Sequence, residues 1–271
     1  MAVTVLHGAL TDIGRRRPRN EDCFCADATL GLYAVCDGMG GPQAGEIASS
    51  LAVETLRRYI RDTSRDDHLP SIGPALPRHS PLTNRLASAI QAANLAVYDA
   101  ATRTPEWSGM GTTVVALLIE GTSASVAHIG DSRLYLVRRH TIRALTSDHS
   151  WVAEQVQSGV MTEADAERSP RRHMLTRALG VAPQVDVTVG EIALQPEDLL
   201  VLCSDGLTKD IRPAAILGAM TEVSDMSVAA RRLVALANEA GGDDNITVIT
   251  LAIKKAGDTT LWQRLRQRIA G

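Results

Sequence analysis

Leu32-Tyr33-Ala34-Val35-Cys36-Asp37-Gly38-Met39-Gly40-Gly41 reads as a short apolar strand that ends on a carboxylate and breaks into glycine. The strand fixes the Asp37 side chain, and the glycines let a backbone or a ligand come close. The same grammar recurs along the chain. Asp131 follows Val126-Ala127-His128-Ile129-Gly130, and Asp205 follows Leu199-Leu200-Val201-Leu202-Cys203-Ser204 and precedes Gly206. Asp244 stands between Gly241-Gly242-Asp243 and Asn245-Ile246-Thr247-Val248, and Asp22, in Asn20-Glu21-Asp22, abuts a strand at Phe24. Singly, each Asp-Gly also reads as a turn. Together they describe strand-end carboxylates that would repel one another unless a cation neutralised them. An all-oxygen set suits Mg²⁺ or Mn²⁺ rather than zinc.

Outward from this strand, Val3–Ile13 and Phe24–Ala28 also read as strands, and Gln43–Ile60 as an amphipathic helix with Pro42 in its first turn. Arg61–Pro81 is rich in Pro, Ser, Asp and Arg and reads as a surface loop, followed by a helix over Thr83–Thr102. The period then becomes that of strands: Thr112–Ile119, Ala124–Ile129, Leu134–Val137 and Ile142–Leu145. Ser150–Arg168 reads as one polar helix broken at Ser169–Arg172. Strands over Val185–Ile192 and Leu199–Cys203, helices over Pro213–Thr221 and Ser227–Ala240, and a strand over Asn245–Ile253 complete the pattern. Helix pairs inserted among runs of strands are not the strict alternation of a parallel sheet. They favour an α+β fold in which helices cover antiparallel sheets.

Composition narrows the chemistry. The 271 residues are 45% hydrophobic and 22% charged, with a formal net charge of −3. Wholesale disorder is excluded, and no basic excess points to nucleic acid as a partner. With aromatics at 3%, the core is aliphatic and a base-stacking platform is disfavoured. The only lysines are Lys209, Lys254 and Lys255, none after a glycine, so a P-loop is ruled out. No secretory signal or membrane-length apolar run is present, so the cytoplasm is the expected compartment. There Cys23, Cys25, Cys36 and Cys203 read as free structural thiols; Cys23-x-Cys25 would need two further ligands to hold zinc.

The ordered set Arg17-Pro18-Arg19-Asn20-Glu21-Asp22, Asp37-Gly38-Met39-Gly40-Gly41, Gly111-Thr112-Thr113, Gly130-Asp131-Ser132-Arg133, Ser204-Asp205-Gly206 and Asp244-Asn245 resembles the motif series of the metal-dependent protein phosphatases (type 2C, the PPM family), in its compact bacterial branch. The resemblance spans about Val3 to Ile253. It implies a four-layer αββα sandwich, with two central antiparallel β-sheets flanked by helix pairs, in one catalytic domain over 1–255. It also implies a centre of two Mn²⁺ or Mg²⁺ ions. Asp37 would bridge both, the Gly38 carbonyl would bind the second, and Asp205 and Asp244 would complete the first. Glu21 and Asp22 would hold the second ion directly or through its waters. Asp131, with Asp205, matches a third, weaker site. Arg17 matches the phosphate-binding arginine.

The implied reaction is hydrolysis of phosphoserine and phosphothreonine in proteins by a metal-activated bridging water, countering a bacterial Ser/Thr kinase. The implied partners are phosphorylated proteins, and a monomer is expected. Two rivals keep the fold: a catalytically silent phosphoprotein-binding module, and a hydrolase of small phosphate esters. The chain departs from many eukaryotic relatives at Met39, which stands where they carry a proposed general-acid histidine. His149 and His173, in or near the segment 147–177 that corresponds to the flap of bacterial relatives, are the imidazoles that could donate a proton to the leaving oxygen, and each reads first as an exposed or structural histidine. Thr112 and Thr113 are read as supporting metal waters, and Arg133 as a structural salt bridge. The tail 256–271, with Leu261, Trp262, Leu265 and Ile269 among Arg264, Arg266 and Arg268, reads as a basic amphipathic helix. It could bind a partner or an anionic surface, or dock on its own domain.

Overall fold

The computed structural model describes residues 3–41, 43–66 and 71–256. Pro42 and the tail helix read over Thr259–Ala270 lie outside them. In chain order the strands are β1 (Val3–Asp12), β2 (Asp22–Asp27), β3 (Leu32–Met39), β4 (Gly111–Thr112), β5 (Val114–Glu120), β6 (Ser123–Ile129), β7 (Arg133–Arg138), β8 (Thr141–Ala144), β9 (Thr188–Ala193), β10 (Leu199–Cys203) and β11 (Ile246–Lys255). The α-helices are α1 (Ala44–Thr63), α2 (Pro81–Arg103), α3 (Trp151–Gln157), α4 (Glu163–Arg168), α5 (Asp205–Thr208), α6 (Pro213–Thr221) and α7 (Met226–Ala240).

Two antiparallel sheets form, in the orders β1-β11-β10-β7-β8 and β2-β3-β5-β6-β9, with β4 paired to β3. Strand alternation sorts the apolar residues into layers. Tyr33, Val35, Val115 and Leu117 of one sheet meet Leu200, Leu202, Ile249 and Leu251 of the other in a fully buried middle layer. The opposite faces take helices: Leu32, Ala34 and Cys36 pack with Ala48, Leu56 and Ile90 under α1 and α2. Val201, Cys203 and Val248 pack with Ile216, Leu233 and Ala237 under α6 and α7. The result is the four-layer αββα arrangement. The central strands β3 and β10 are buried on both faces, which is why Leu32–Cys36 and Leu199–Cys203 read as unbroken apolar runs rather than alternating ones.

The structure corrects several boundaries. The strand read as Leu32–Cys36 continues through Asp37 to Met39, because β4 pairs with its end: Gly38 opposes Thr112 and Met39 opposes Gly111. The loop read as Arg61–Pro81 is shorter. The helix α1 runs on to Thr63, and Pro81 is itself the first residue of α2, capped by Ser80, whose hydroxyl accepts the Thr83 N–H at 3.3 Å. The single helix read over Ser150–Arg168 is two, α3 and α4, separated at Gly159, whose φ of 73° no helix continues. Ser150 and Thr162 cap the two pieces through their hydroxyls. The strand read as Val185–Ile192 is β9 over Thr188–Ala193.

Candidate metal centre

The two sheets bring the strand ends that carry Asp22, Asp37, Asp131, Asp205 and Asp244 to one edge. Asp22 and Asp37 are direct register partners across β2 and β3. Asp131 follows β6 in the turn to β7, and Asp205 opens α5 at the end of β10. Asp244 precedes β11, which pairs with β10. Two glycines allow this closeness. A Cβ on Gly206 would stand 2.0 Å from the Asn245 carbonyl oxygen, so only glycine lets the Asp205 turn lie on the Asp244–Asn245 backbone. A Cβ on Gly38 would stand 2.0 Å from the Gly45 carbonyl oxygen, so the β3 end packs directly on the start of α1.

Backbone and side-chain bonds then fix the segments that carry Asp37, Asp22 and Asp244. The Asp37 N–H donates to Thr113 Oγ1 at 3.1 Å, and its carbonyl accepts from Thr112 Oγ1 at 2.8 Å and the Thr113 N–H at 2.8 Å. The hydroxyls of Thr112 and Thr113 thus hold the Asp37 backbone, where the sequence pointed to a contact with metal waters. Ser204 Oγ donates to Asp22 Oδ2 at 2.8 Å and accepts the Thr247 N–H at 3.0 Å. Asn245 ties down the segment that carries Arg17 and Glu21. Its Nδ2 donates to the Ile13 and Arg19 carbonyls at 3.0 and 2.8 Å, and its Oδ1 accepts the Glu21 N–H at 2.8 Å. Arg17 reaches back across this loop and donates to Asp244 Oδ2 at 2.8 Å.

The charges are crowded and under-compensated. Burial first, then the charges of Asp205 and Asp244, push Asp22 up to about 7. Burial followed by Asp205 and Asp148 pushes Asp131 up to about 7. Asp37 is raised well above the carboxylate range by burial and then by Asp22, Asp205, Asp131 and Asp244, which all bear on it. Burial and Asp244 raise Asp205, and burial raises Glu21. Asp22 Oδ1 and Asp205 Oδ1 are buried with no hydrogen-bond partner. Orphaned buried acceptors beside mutually repelling carboxylates are what a bound cation would satisfy, and the all-oxygen donor set fits a hard divalent one. Among the described residues, no three or more His, Cys, Asp or Glu side chains close on one point as a finished ligand shell. A Mg²⁺-like ion is held by one or two carboxylates and keeps several waters, so a converged shell is not required.

Every residue named from the sequence as a site candidate (Arg17, Glu21, Asp22, Asp37, Gly38, Asp131, Asp205 and Asp244) lies at this edge. The histidines divide. His149 is buried and stacked on His128 at 4.6 Å. Its Nδ1 accepts the Gly130 N–H at 3.1 Å, so its proton sits on Nε2, facing Thr188 Oγ1 at 2.9 Å. Burial, then His128 and Arg177, lowers it to about 4; it is an anchor for the segment 147–177. His173 instead feels Asp205 and Asp244, though burial, Lys209 and Arg172 hold it below its ordinary value. Arg133 forms the structural salt bridge, bidentate to Asp148 at 2.8 and 2.6 Å. Asn245, Ser204 and Lys209 are the site neighbours that sequence reasoning gave no role. The signal for the first two was their place in the motifs Ser204-Asp205-Gly206 and Asp244-Asn245.

Comparison with known proteins agrees with this geometry. Residues 14–239 match the family model described as Protein phosphatase 2C. The chain is 36% identical over 242 residues to the serine/threonine phosphatase stp of Listeria monocytogenes, covering 88% of this chain and 92% of that protein. It superposes on the crystal structure of the Mycobacterium tuberculosis serine/threonine phosphatase PstP/Ppp with a TM-score of 0.81 at 34% identity, covering 93% of this chain and 99% of that one. The catalytic domain of serine threonine protein phosphatase PstP in complex with two manganese ions matches with a TM-score of 0.80 at 33% identity, covering 93% of this chain and 100% of that one. Fold, ordered motifs and comparisons converge: the chain belongs to the protein phosphatase 2C family.

Proposed function

We infer that this chain is a metal-dependent protein serine/threonine phosphatase, hydrolysing phosphoserine and phosphothreonine. The observation that carries the reading is the gathering of Asp22, Asp37, Asp131, Asp205 and Asp244 around buried, unpartnered carboxylate oxygens, with the Arg17 guanidinium at their rim. Asp37, Asp205, Asp244 and the Gly38 carbonyl would hold two Mn²⁺ or Mg²⁺ ions together with Asp22 and Glu21, the last two directly or through water. Asp131 with Asp205 would hold a third, weaker one. Divalent ions bound there supply charge neutralisation and a water of lowered pKa.

The chain's own residues do the rest. Arg17 offers a planar fork that matches two phosphate oxygens, and it is half-exposed, within reach of an arriving phosphate. Ser204, Thr112, Thr113 and Asn245 keep the carboxylates from collapsing onto other partners. Met39 has no proton to give the leaving oxygen, and both ring nitrogens of His149 are engaged.

Residues 1–255 are proposed to act as one catalytic unit, with 147–177 as a flap that chooses substrates and gates access. Its neck is closed by the Trp151 N–H on the Met174 carbonyl and the Thr176 N–H on the His149 carbonyl, at 2.8 and 2.9 Å. The proposed partners are phosphorylated proteins and the cognate Ser/Thr kinase pathway, with the chain acting as a monomer. The four free cysteines suit a reducing cytoplasm; among the described residues no helix is long and apolar enough to cross a membrane. The test is Mn²⁺-dependent phosphate release from a phosphothreonine peptide, beside Asp205→Asn. Release by wild type and loss in the variant is the expected result. Turnover of metabolite esters but not peptides overturns the substrate class, and no release with any divalent ion overturns the activity.

A further inference from the structure

Lys209 has no part in the mechanism above, yet it stands inside the site. It closes the turn that carries Asp205, its N–H donating to the Asp205 carbonyl at 2.8 Å. Residues four apart on a helical turn share a face, so the ammonium returns over the carboxylates. Its Nζ lies 3.7 Å from Asp244 Oδ2, the same oxygen that accepts Arg17 at 2.8 Å, and its side chain is only 25% exposed. Its charge favours the ionised form of Asp205 and opposes protonation of His173 in the segment 147–177. Lys209 is therefore at the junction of two carboxylates, the arginine and the flap.

We propose that the fixed charge of Lys209, 3.7 Å from Asp244 Oδ2, weakens metal binding at this edge while strengthening the binding of phosphate. The proposal rests on the reading of this edge as a divalent-metal phosphatase centre. A positive charge a few ångströms from a cation site repels the cation, and the same charge attracts an anion that lands on the same spot. A merely structural lysine would give no such opposed pair of effects.

The experiment titrates Mn²⁺ calorimetrically into metal-stripped wild type, Lys209→Gln, Lys209→Met and Lys209→Arg, and measures inhibition of the loaded forms by inorganic phosphate. Both neutral variants are expected to bind Mn²⁺ roughly 3- to 10-fold more tightly, with a gain that shrinks at high salt, and to be inhibited by phosphate roughly 3- to 10-fold less. Lys209→Arg keeps the charge and is expected to follow wild type. Unchanged or weaker Mn²⁺ binding in the neutral variants overturns the proposal, as does a Lys209→Arg chain that behaves like them. Wild type that takes up no Mn²⁺ overturns the underlying reading itself. Two neutral side chains of different polarity guard against one that fails to fold.

Discussion

Asp22 and Asp37 face each other as register partners across two neighbouring strands, an arrangement in which like charges destabilise a sheet. Asp22 is buried, and its Oδ1 has no partner. A fold keeps such a pair only if something offsets the repulsion, and the rest of the edge adds negative charge to it.

The metal-free protein should therefore lose stability as pH rises. Asp22 and Asp131 are both raised to about 7 in the folded chain, against about 3.9 for an unfolded aspartate. A raised folded value means that the native state holds the proton more tightly than the unfolded one. The stabilisation is whole below about pH 4 and is lost as pH climbs through about 7. Thermal unfolding in chelator should show the melting temperature falling across that window. Mn²⁺ should flatten the slope.

Asp22→Asn should raise the stability of the metal-free chain at pH 8 by about 1–3 kcal/mol, because it removes one buried charge from the cluster. The same change should weaken Mn²⁺ binding. Opposite signs for apo stability and metal affinity mark a ligand; a purely structural Asp22 would lose stability in both states. Unfolding curves with and without Mn²⁺ read both numbers.

Arg17→Ala should lower kcat/KM by roughly 100-fold, about 2.7 kcal/mol of transition-state binding. Arg17→Lys should recover only part of this, since an ammonium cannot form the two-oxygen fork. Steady-state kinetics on a phosphothreonine peptide measures both.

Asn245→Ala should cost about 2–4 kcal/mol. It removes three hydrogen bonds of a buried amide and orphans the Ile13 and Arg19 carbonyls. Because those bonds hold the loop bearing Arg17 and Glu21, metal affinity should fall with it. Denaturant unfolding and Mn²⁺ titration test the two halves separately.

Arg133→Gln should destabilise by about 1–3 kcal/mol, since it strands a largely covered Asp148, and should speed proteolysis within 147–177. The exposed Arg212–Glu167 pair at the other end of that segment should shift the melting temperature by no measurable amount when broken. Limited proteolysis and thermal unfolding distinguish the two anchors.

The layers were legible in the sequence because strands buried on both faces are written as apolar runs, and Leu199–Cys203 could scarcely be anything else. The acidic edge was legible for a related reason: each carboxylate follows such a run, and the order of the motifs resembles one family. What the sequence hid was contact across the fold. No local pattern says that Thr112 and Thr113 grip the Asp37 backbone, that Asn245 ties down a loop more than 200 residues away, or that Lys209 shares an oxygen with Arg17. The division of Ser150–Arg168 into two helices turned on Gly159 and on the caps Ser150 and Thr162, signals that periodicity over a polar stretch does not weigh.

The most direct test of the central claim, that these carboxylates gather to hold divalent metal, is anomalous diffraction from crystals of the wild-type chain and of Asp37→Asn grown with Mn²⁺. Two strong manganese peaks are expected at the edge bounded by Asp22, Asp37, Asp205 and Asp244 in wild type, with loss of one or both in the variant. Wild-type crystals with no manganese at that edge, or with peaks unchanged in Asp37→Asn, would contradict it.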